Sequence, residues 1–146
     1  MFAATGFRLG KRELEIMNVV WDSGEATVQD VCDRLARPAA YCTVLTMMRT
    51  LETKGMLTHR VDGRTFVYRP HVPRERVRAS LVHELRELVF DGSATLLVNT
   101  MLNHGTMNVA DLSELRRLLA QTEMAAVRGR AESARLHAEF TPLQSE

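Results

Sequence analysis

Residues 41–54 read YCTVLTMMRTLETK, and they hold the side chains best suited to engaging another macromolecule. Wound into a helix at about 100° per residue, Val44, Met48 and Leu51 fall on one side, with Met47 at its edge. The other side collects Cys42, Thr46, Arg49, Thr50 and Thr53, with Thr43 at its border. An ordinary solvated helix face carries Glu and Lys, which form helices well and stay hydrated. Threonine is stiff at its branched carbon and a poorer helix former. A row of threonines with one arginine suits a face that enters a groove and touches base edges. Threonine offers a hydroxyl to any base and a methyl to the thymine methyl, while arginine takes guanine or a phosphate. Cys42, Thr43, Thr46, Arg49 and Thr50 are therefore the candidate base contacts. Tyr41 and Thr53, at the two ends, are candidates for the phosphate backbone. The plainer alternative is a helix packed against a partner protein.

Charge supports the first reading. The overall balance is only +1, but it is unevenly spread. Between positions 37 and 69 lie Arg37, Arg49, Lys54, Arg60, Arg64 and Arg69 against Glu52 and Asp62, so the remainder of the chain is net negative. A polyanion site needs local positive charge, whatever the global sum.

The elements that must position this stretch follow from periodicity. Residues 9–22 carry Leu14, Met17 and Trp21 at helical spacing, widened by Ile16 and Val20, and Ser23-Gly24 stops them. Trp21 is expected to be the heaviest anchor of that core helix. Thr27 with Asp30 is a variant capping box, so a second helix starts at Val28, buries Val31, Cys32 and Leu35, and closes at Arg37-Pro38. The third helix is the threonine-rich one, ended by Gly55 in the left-handed conformation. Two helices joined by a tight turn make a helix-turn-helix. Residues 57–61 and 64–68 are β-rich runs around Asp62-Gly63, a strong hairpin signal. A hairpin directly after a recognition helix is a wing, and it places Arg60, Arg64 and Arg69 near phosphates or a minor groove. His59 reads as structural. Arginines that guard a solvated hairpin edge would look the same.

Pro70 and Pro73 mark a boundary. Beyond it Val77, Leu81, Leu85 and Leu88 define a helix over about 74–90, broken by Asp91-Gly92-Ser93. Leu96, Leu97, Met101 and Leu102 define another over about 94–103. Asn108 to Asp111 cap a third, with Leu112, Leu115, Leu118 and Leu119 as its stripe. Such aliphatic surface cannot offset its ordering entropy alone. Pairing with a second copy through Leu81, Leu85, Leu88, Leu97, Met101, Leu112, Leu115 and Leu119 would cover it. From Met124 large apolar residues thin out, and Thr141-Pro142 must end any helix.

The fold class expected is mainly α: an N-terminal winged helix-turn-helix with a two-stranded wing, then a C-terminal helical dimerisation region. The divisions are 1–8 as a disordered N-terminus, 9–70 as the winged-helix DNA-binding domain, 71–122 as the dimerisation domain and 123–146 as a polar helical or disordered tail. The sequence has no apolar run long enough to span a bilayer, and its opening MFAATG has neither the charged start nor the apolar core of a signal peptide. A cytoplasmic location is expected. No Gly-rich phosphate loop, metal-ligand spacing or nucleophile beside a base is present, so neither an enzyme, a metal nor a cofactor is expected. Cys42 could serve as a redox switch, though a surface thiol or base contact is the simpler role. A winged-helix protein-interaction module that never touches DNA is the competing function.

Several stretches resemble the penicillinase-repressor family of bacterial transcription regulators, the BlaI/MecI/CopY type. They are LGKRELEIMNVVW at 9–21, AYCTVLT at 40–46, LETKGML at 51–57 and GRTFVYRP at 63–70, continued by Asp91-Gly92 and LRRLL at 115–119. The resemblance implies a homodimeric repressor sitting on an inverted-repeat operator built from TACA/TGTA elements. It also implies release by proteolysis in the dimerisation region, downstream of a membrane-bound sensor metalloprotease. Thr43 and Thr46 match threonines that meet bases. The family usually has arginine where this chain has Thr50, and Arg49 stands one place earlier, so the operator can differ. Copper-responsive members end in a cysteine cluster, whereas this chain has no cysteine after Cys42. Members cut by sensor proteases have an Asn-Phe bond in the middle dimerisation helix. Here the region reads LVNTML, which leaves Asn99, Thr100 and Met101 as the possible cleavage region.

Overall fold

The computed structural model describes residues 7–105 and 107–139. Most of the expected N-terminal disorder and the stop at Thr141-Pro142 lie outside the described residues. The elements are α1 (Lys11–Ser23), α2 (Val28–Arg34), α3 (Tyr41–Thr53), β1 (Leu57–Asp62), β2 (Thr65–Pro70), α4 (Arg74–Val89), α5 (Ala94–Asn103) and α6 (Val109–Glu139). The fold is mainly helical, with one two-stranded antiparallel sheet forming the wing of a winged helix. The chain divides into two units, one ending at Ala94 and the other beginning at Thr95.

Local chemistry explains the boundaries in the first unit. The Thr27 hydroxyl accepts from the Asp30 amide at 3.1 Å, and the Asp30 carboxylate accepts from the Thr27 amide at 2.9 Å. This reciprocal cap starts α2. Leu35 leaves helical geometry, so α2 stops at Arg34, three residues before the expected Arg37-Pro38. At the end of α3, Gly55 sits at φ +80°, with its amide on the Glu52 carbonyl and the Met56 amide on the Leu51 carbonyl. That double reach is a Schellman close, which turns the chain directly into β1.

The core of the unit is shared by α1, α2, α3 and the hairpin. Ile16, Met17, Val20, Val31, Val44, Met48, Leu51, Met56, Leu57 and Tyr68 are all fully buried. Trp21 is not the core's heaviest anchor: it is only half-buried, at the core edge. Its indole N–H needs a polar partner and finds the Val72 carbonyl at 3.0 Å, while the Arg74 guanidinium lies over the ring. Tyr68 takes the central place instead. The hairpin turn also differs from expectation. Asp62 pairs with Thr65, so the two-residue loop is Gly63-Arg64 rather than Asp62-Gly63. Gly63 at φ +63° supplies a positive φ at the first central position only, the arrangement in which glycine leads the loop.

A further link was not visible from the local pattern. Ala26, in the loop before α2, exchanges two backbone hydrogen bonds with Tyr68 of β2, at 2.8 and 2.9 Å. The wing is thereby stitched to the chain that leads into α2.

In the second unit, α6 continues as one helix to Glu139, well past the last leucine of the apolar stripe. Neither α5 nor the described part of α6 holds a buried residue.

Candidate nucleic-acid interface

The surface of α3 follows the binary pattern of its sequence. Val44, Met48 and Leu51 are buried, and Tyr41, Cys42, Thr43, Thr46, Arg49, Thr50 and Thr53 are exposed. Within the first unit, no described residue buries that face. A strut from α1 fixes where the helix begins: the Arg12 guanidinium donates to the carbonyls of Arg37 at 2.7 Å and Pro38 at 3.2 Å. These hold the turn between α2 and α3.

The threonines tolerate a helix because each hydroxyl has a partner one turn back. Thr46 donates to the Cys42 carbonyl at 2.9 Å, Thr50 to the Thr46 carbonyl at 2.9 Å, and Thr53 to the Arg49 carbonyl at 3.0 Å. Back-bonding of this kind offsets part of threonine's low helix propensity. It leaves each oxygen with acceptor capacity only, beside a free methyl.

Two rows of different character run along α3. Cys42, Thr46 and Thr50, at intervals of four, form the threonine row. Tyr41, Leu45 and Arg49 form a neighbouring row that lines a cleft of about 440 Å³ with Arg64, Thr65 and Phe66 of the wing and Thr27, Val28 and Gln29 at the start of α2. The sequence grouped Arg49 with the threonines; in the fold it shares a cleft with the wing. The contributions of α2 to that cleft were missed, because nothing local to residues 27–29 reveals which element they abut.

The cationic stretch is partly spent inside the protein. Lys54 donates to both oxygens of Glu13, at 2.8 and 2.9 Å, and to the Arg8 carbonyl. Arg60 pairs with Glu25 at 3.0 Å and lies 3.8 Å from Asp62, and these carboxylates raise its pKa further. Arg37, Arg49, Arg64 and Arg69 have no ion pair among the described residues and remain available for an external anion. His59 has the structural role expected of it. Its Nδ1 lies 2.6 Å from Glu52 Oε1, which ties β1 to α3, and its ring stacks on Phe66 at 4.3 Å.

The candidate dimerisation residues divide between the units. On α4, Leu81 and Leu85 are half-buried and Leu88 is exposed; Leu14, Leu81, Val82 and Leu85 line an apolar groove of about 240 Å³. In the second unit Leu97 and Leu115 are half-buried, and Met101, Leu112 and Leu119 are exposed. Asn99, Thr100 and Met101 lie within α5, where the Thr100 hydroxyl donates to the Leu96 carbonyl at 2.8 Å. Among the described residues no cluster of His, Cys, Asp or Glu could hold a metal ion, and no helix is long and apolar enough to cross a membrane.

A family model described as penicillinase repressor matches residues 9–121. The penicillinase repressor of Bacillus licheniformis is 25% identical over 116 residues, covering 78% of this chain and 91% of that protein. Among solved structures, the DNA-binding domain of the repressor BlaI is 31% identical, covering 47% of this chain and 85% of that one, with a TM-score of 0.43. The B. licheniformis BlaI monomeric form in complex with the blaP half-operator gives 31% identity, the same coverages and a TM-score of 0.41.

Proposed function

Because this chain belongs to the penicillinase repressor family, we propose that it works as a homodimeric repressor on an inverted-repeat operator. The family consists of DNA-binding transcriptional repressors, not enzymes. In this reading α3 enters a major groove, Thr43, Thr46 and Thr50 with Cys42 meet base edges, and the wing grips the flanking backbone through Arg64 and Arg69. Tyr41 and Thr53 bracket the helix at its two phosphate strands. The observation that carries the proposal is the exposed threonine face of α3, flanked by cations that have no ion pair among the described residues.

The exposed apolar surface of the C-terminal unit supports the two-subunit reading. A pair of helices without a single buried residue in the described chain gains little from folding alone. A second copy laid on Met101, Leu112 and Leu119 would remove that apolar surface from water, and α4 would contribute Leu88. Twofold symmetry then demands a palindromic site with half-sites near one helical turn apart, TACA/TGTA-like in sequence. Release would come from cleavage around Asn99, Thr100 and Met101 by a membrane-bound sensor metalloprotease, or from another signal on this region. Those residues are helical, so a protease would need local unwinding of α5 first.

A gel shift of the full chain on its own promoter region tests the reading. Binding by a dimer is expected, weakened roughly 10³–10⁵-fold between 50 and 200 mM salt if about 6–10 phosphates are neutralised. A monomer with no affinity for any duplex would leave the protein-interaction module as the better account.

A further inference from the structure

The two rows on α3 point to a division of labour. We infer that the cleft between α3 and the wing is a seat for one phosphate group, held jointly by Arg49 and Arg64. On this assignment Arg49 clamps the backbone and reads no base. The inference rests on the repressor reading above and refines it at one site.

Charge inside the cleft carries the argument. Arg49 and Arg64 both line it, and no carboxylate does. Nearby, Lys54 is paired with Glu13 and Arg60 with Glu25, and Arg69, which has no ion pair among the described residues, does not line the cleft. Glu52, the one acid of α3, is occupied by His59. Two guanidinium groups lining one hollow repel each other, and an anion between them would relieve that repulsion.

The remaining lining is neutral and rich in hydrogen-bonding groups. Tyr41 and Thr65 contribute hydroxyls, and Gln29 contributes an amide. The Thr27 hydroxyl, engaged with Asp30, adds no charge to the lining. Cationic side chains surrounded by hydroxyl and amide donors suit phosphate oxygens, whereas base readout needs a side chain that projects past the backbone into the groove. The threonine row does project from the exposed face, and none of Cys42, Thr46 or Thr50 lines the cleft.

The phosphate could belong to the DNA backbone or to a small phosphorylated compound, and the experiment separates them. Full-length Arg49→Ala, Arg49→Lys, Arg64→Ala and Thr46→Ala would be titrated against the promoter duplex, its single-base variants and a random duplex, from 50 to 200 mM salt. Arg49→Ala and Arg64→Ala are each expected to weaken both duplexes by the same factor. The loss of one released counterion predicts roughly eightfold near 0.1 M salt and a salt slope smaller by about one. Arg49→Lys should recover most of that loss, because a clamp needs charge more than a fork. Thr46→Ala should change the promoter duplex and its base variants alone. If Arg49→Ala spared the random duplex and relaxed preference at one base pair, with Arg49→Lys no better, Arg49 would be a base reader and the inference would fail. Pyrophosphate at fixed ionic strength is the second arm. Saturable binding that Arg49→Ala abolishes, with random-duplex affinity unchanged in that variant, would assign the cleft to a free phosphate compound and overturn the backbone role. Failure of the unmodified chain to bind any duplex would sink the repressor reading itself, a result distinct from either.

Discussion

The Thr46 hydroxyl donates to the Cys42 carbonyl at 2.9 Å, one turn back along α3. A hydroxyl so committed presents an acceptor and a methyl, and no hydrogen, to whatever lies opposite. It should favour the amino groups of adenine or cytosine, or the thymine methyl, over the acceptor pair of guanine. Thr46→Val keeps the shape and methyl but removes the acceptor. Binding to single-base operator variants should then show preference for an amino-bearing base reduced by about 1 kcal/mol at one position, with thymine unaffected. A guanine preferred there by the unmodified protein would contradict this chemistry.

Gly55 is the pivot between α3 and the wing. Its φ of +80° is strained for any residue with a side chain, although a methyl placed there would touch nothing. Gly55→Ala should therefore cost only the left-handed penalty, about 1–2 kcal/mol. Thermal melting of the variant would show it as a Tm lowered by roughly 4–8 °C for each kcal/mol in a domain of this size. An unchanged Tm would mean that the Schellman close is dispensable.

Acid should loosen α2 before the rest of the winged domain. The Thr27 amide and hydroxyl hold the Asp30 carboxyl below its ordinary pKa of 3.8. A lowered folded pKa contributes stability that is complete above the ordinary value and is lost as pH falls through the lowered one. Asp30→Asn should flatten that part of the stability profile while leaving stability above pH 5 reduced by about 1 kcal/mol, as for a lost cap. Urea melts between pH 2.5 and 7 would reveal it. An identical pH dependence in the variant would remove Asp30 from the account.

The two thiols should react very differently. Burial raises the Cys32 pKa and the neighbouring Asp33 charge raises it further, so it stays protonated and shielded at neutral pH. Cys42 is exposed on the threonine face of α3. A bulky thiol reagent should label Cys42 first and abolish operator binding, and bound operator should slow that labelling. Mass spectrometry of the time course distinguishes the sites. Labelled protein that still bound DNA would place Cys42 outside the contact.

What could be read from the sequence was what is encoded locally. The periodicity of residues 41–54, the cap at Thr27 and Asp30 and the left-handed stop at Gly55 each depend on neighbours within one or two turns, and all appear in the fold. What could not be read depends on distant partners. Lys54 and Arg60 looked available until Glu13 and Glu25, 41 and 35 residues away, were brought beside them. Trp21 looked like core because its size and spacing fit, but its N–H drew it to the rim and the Val72 carbonyl. Arg49 shared a helical face with the threonines, and only the docked wing gives it different company. The hairpin slipped by one residue because both Asp62-Gly63 and Gly63-Arg64 offer a glycine, and the pairing of Asp62 with Thr65 decides between them.

The two backbone bonds between Ala26 and Tyr68 have a mechanical consequence. A hairpin fastened at its root to the loop ahead of α2 is not a flap that closes once a ligand has arrived. The arginine at its tip and the helix beside it are presented as one preformed mould, which spares the complex most of the ordering entropy that a loose arm would lose. Under the proposed reading, how readily a duplex bends to fit a surface that does not yield then adds to the discrimination made by base contacts of α3.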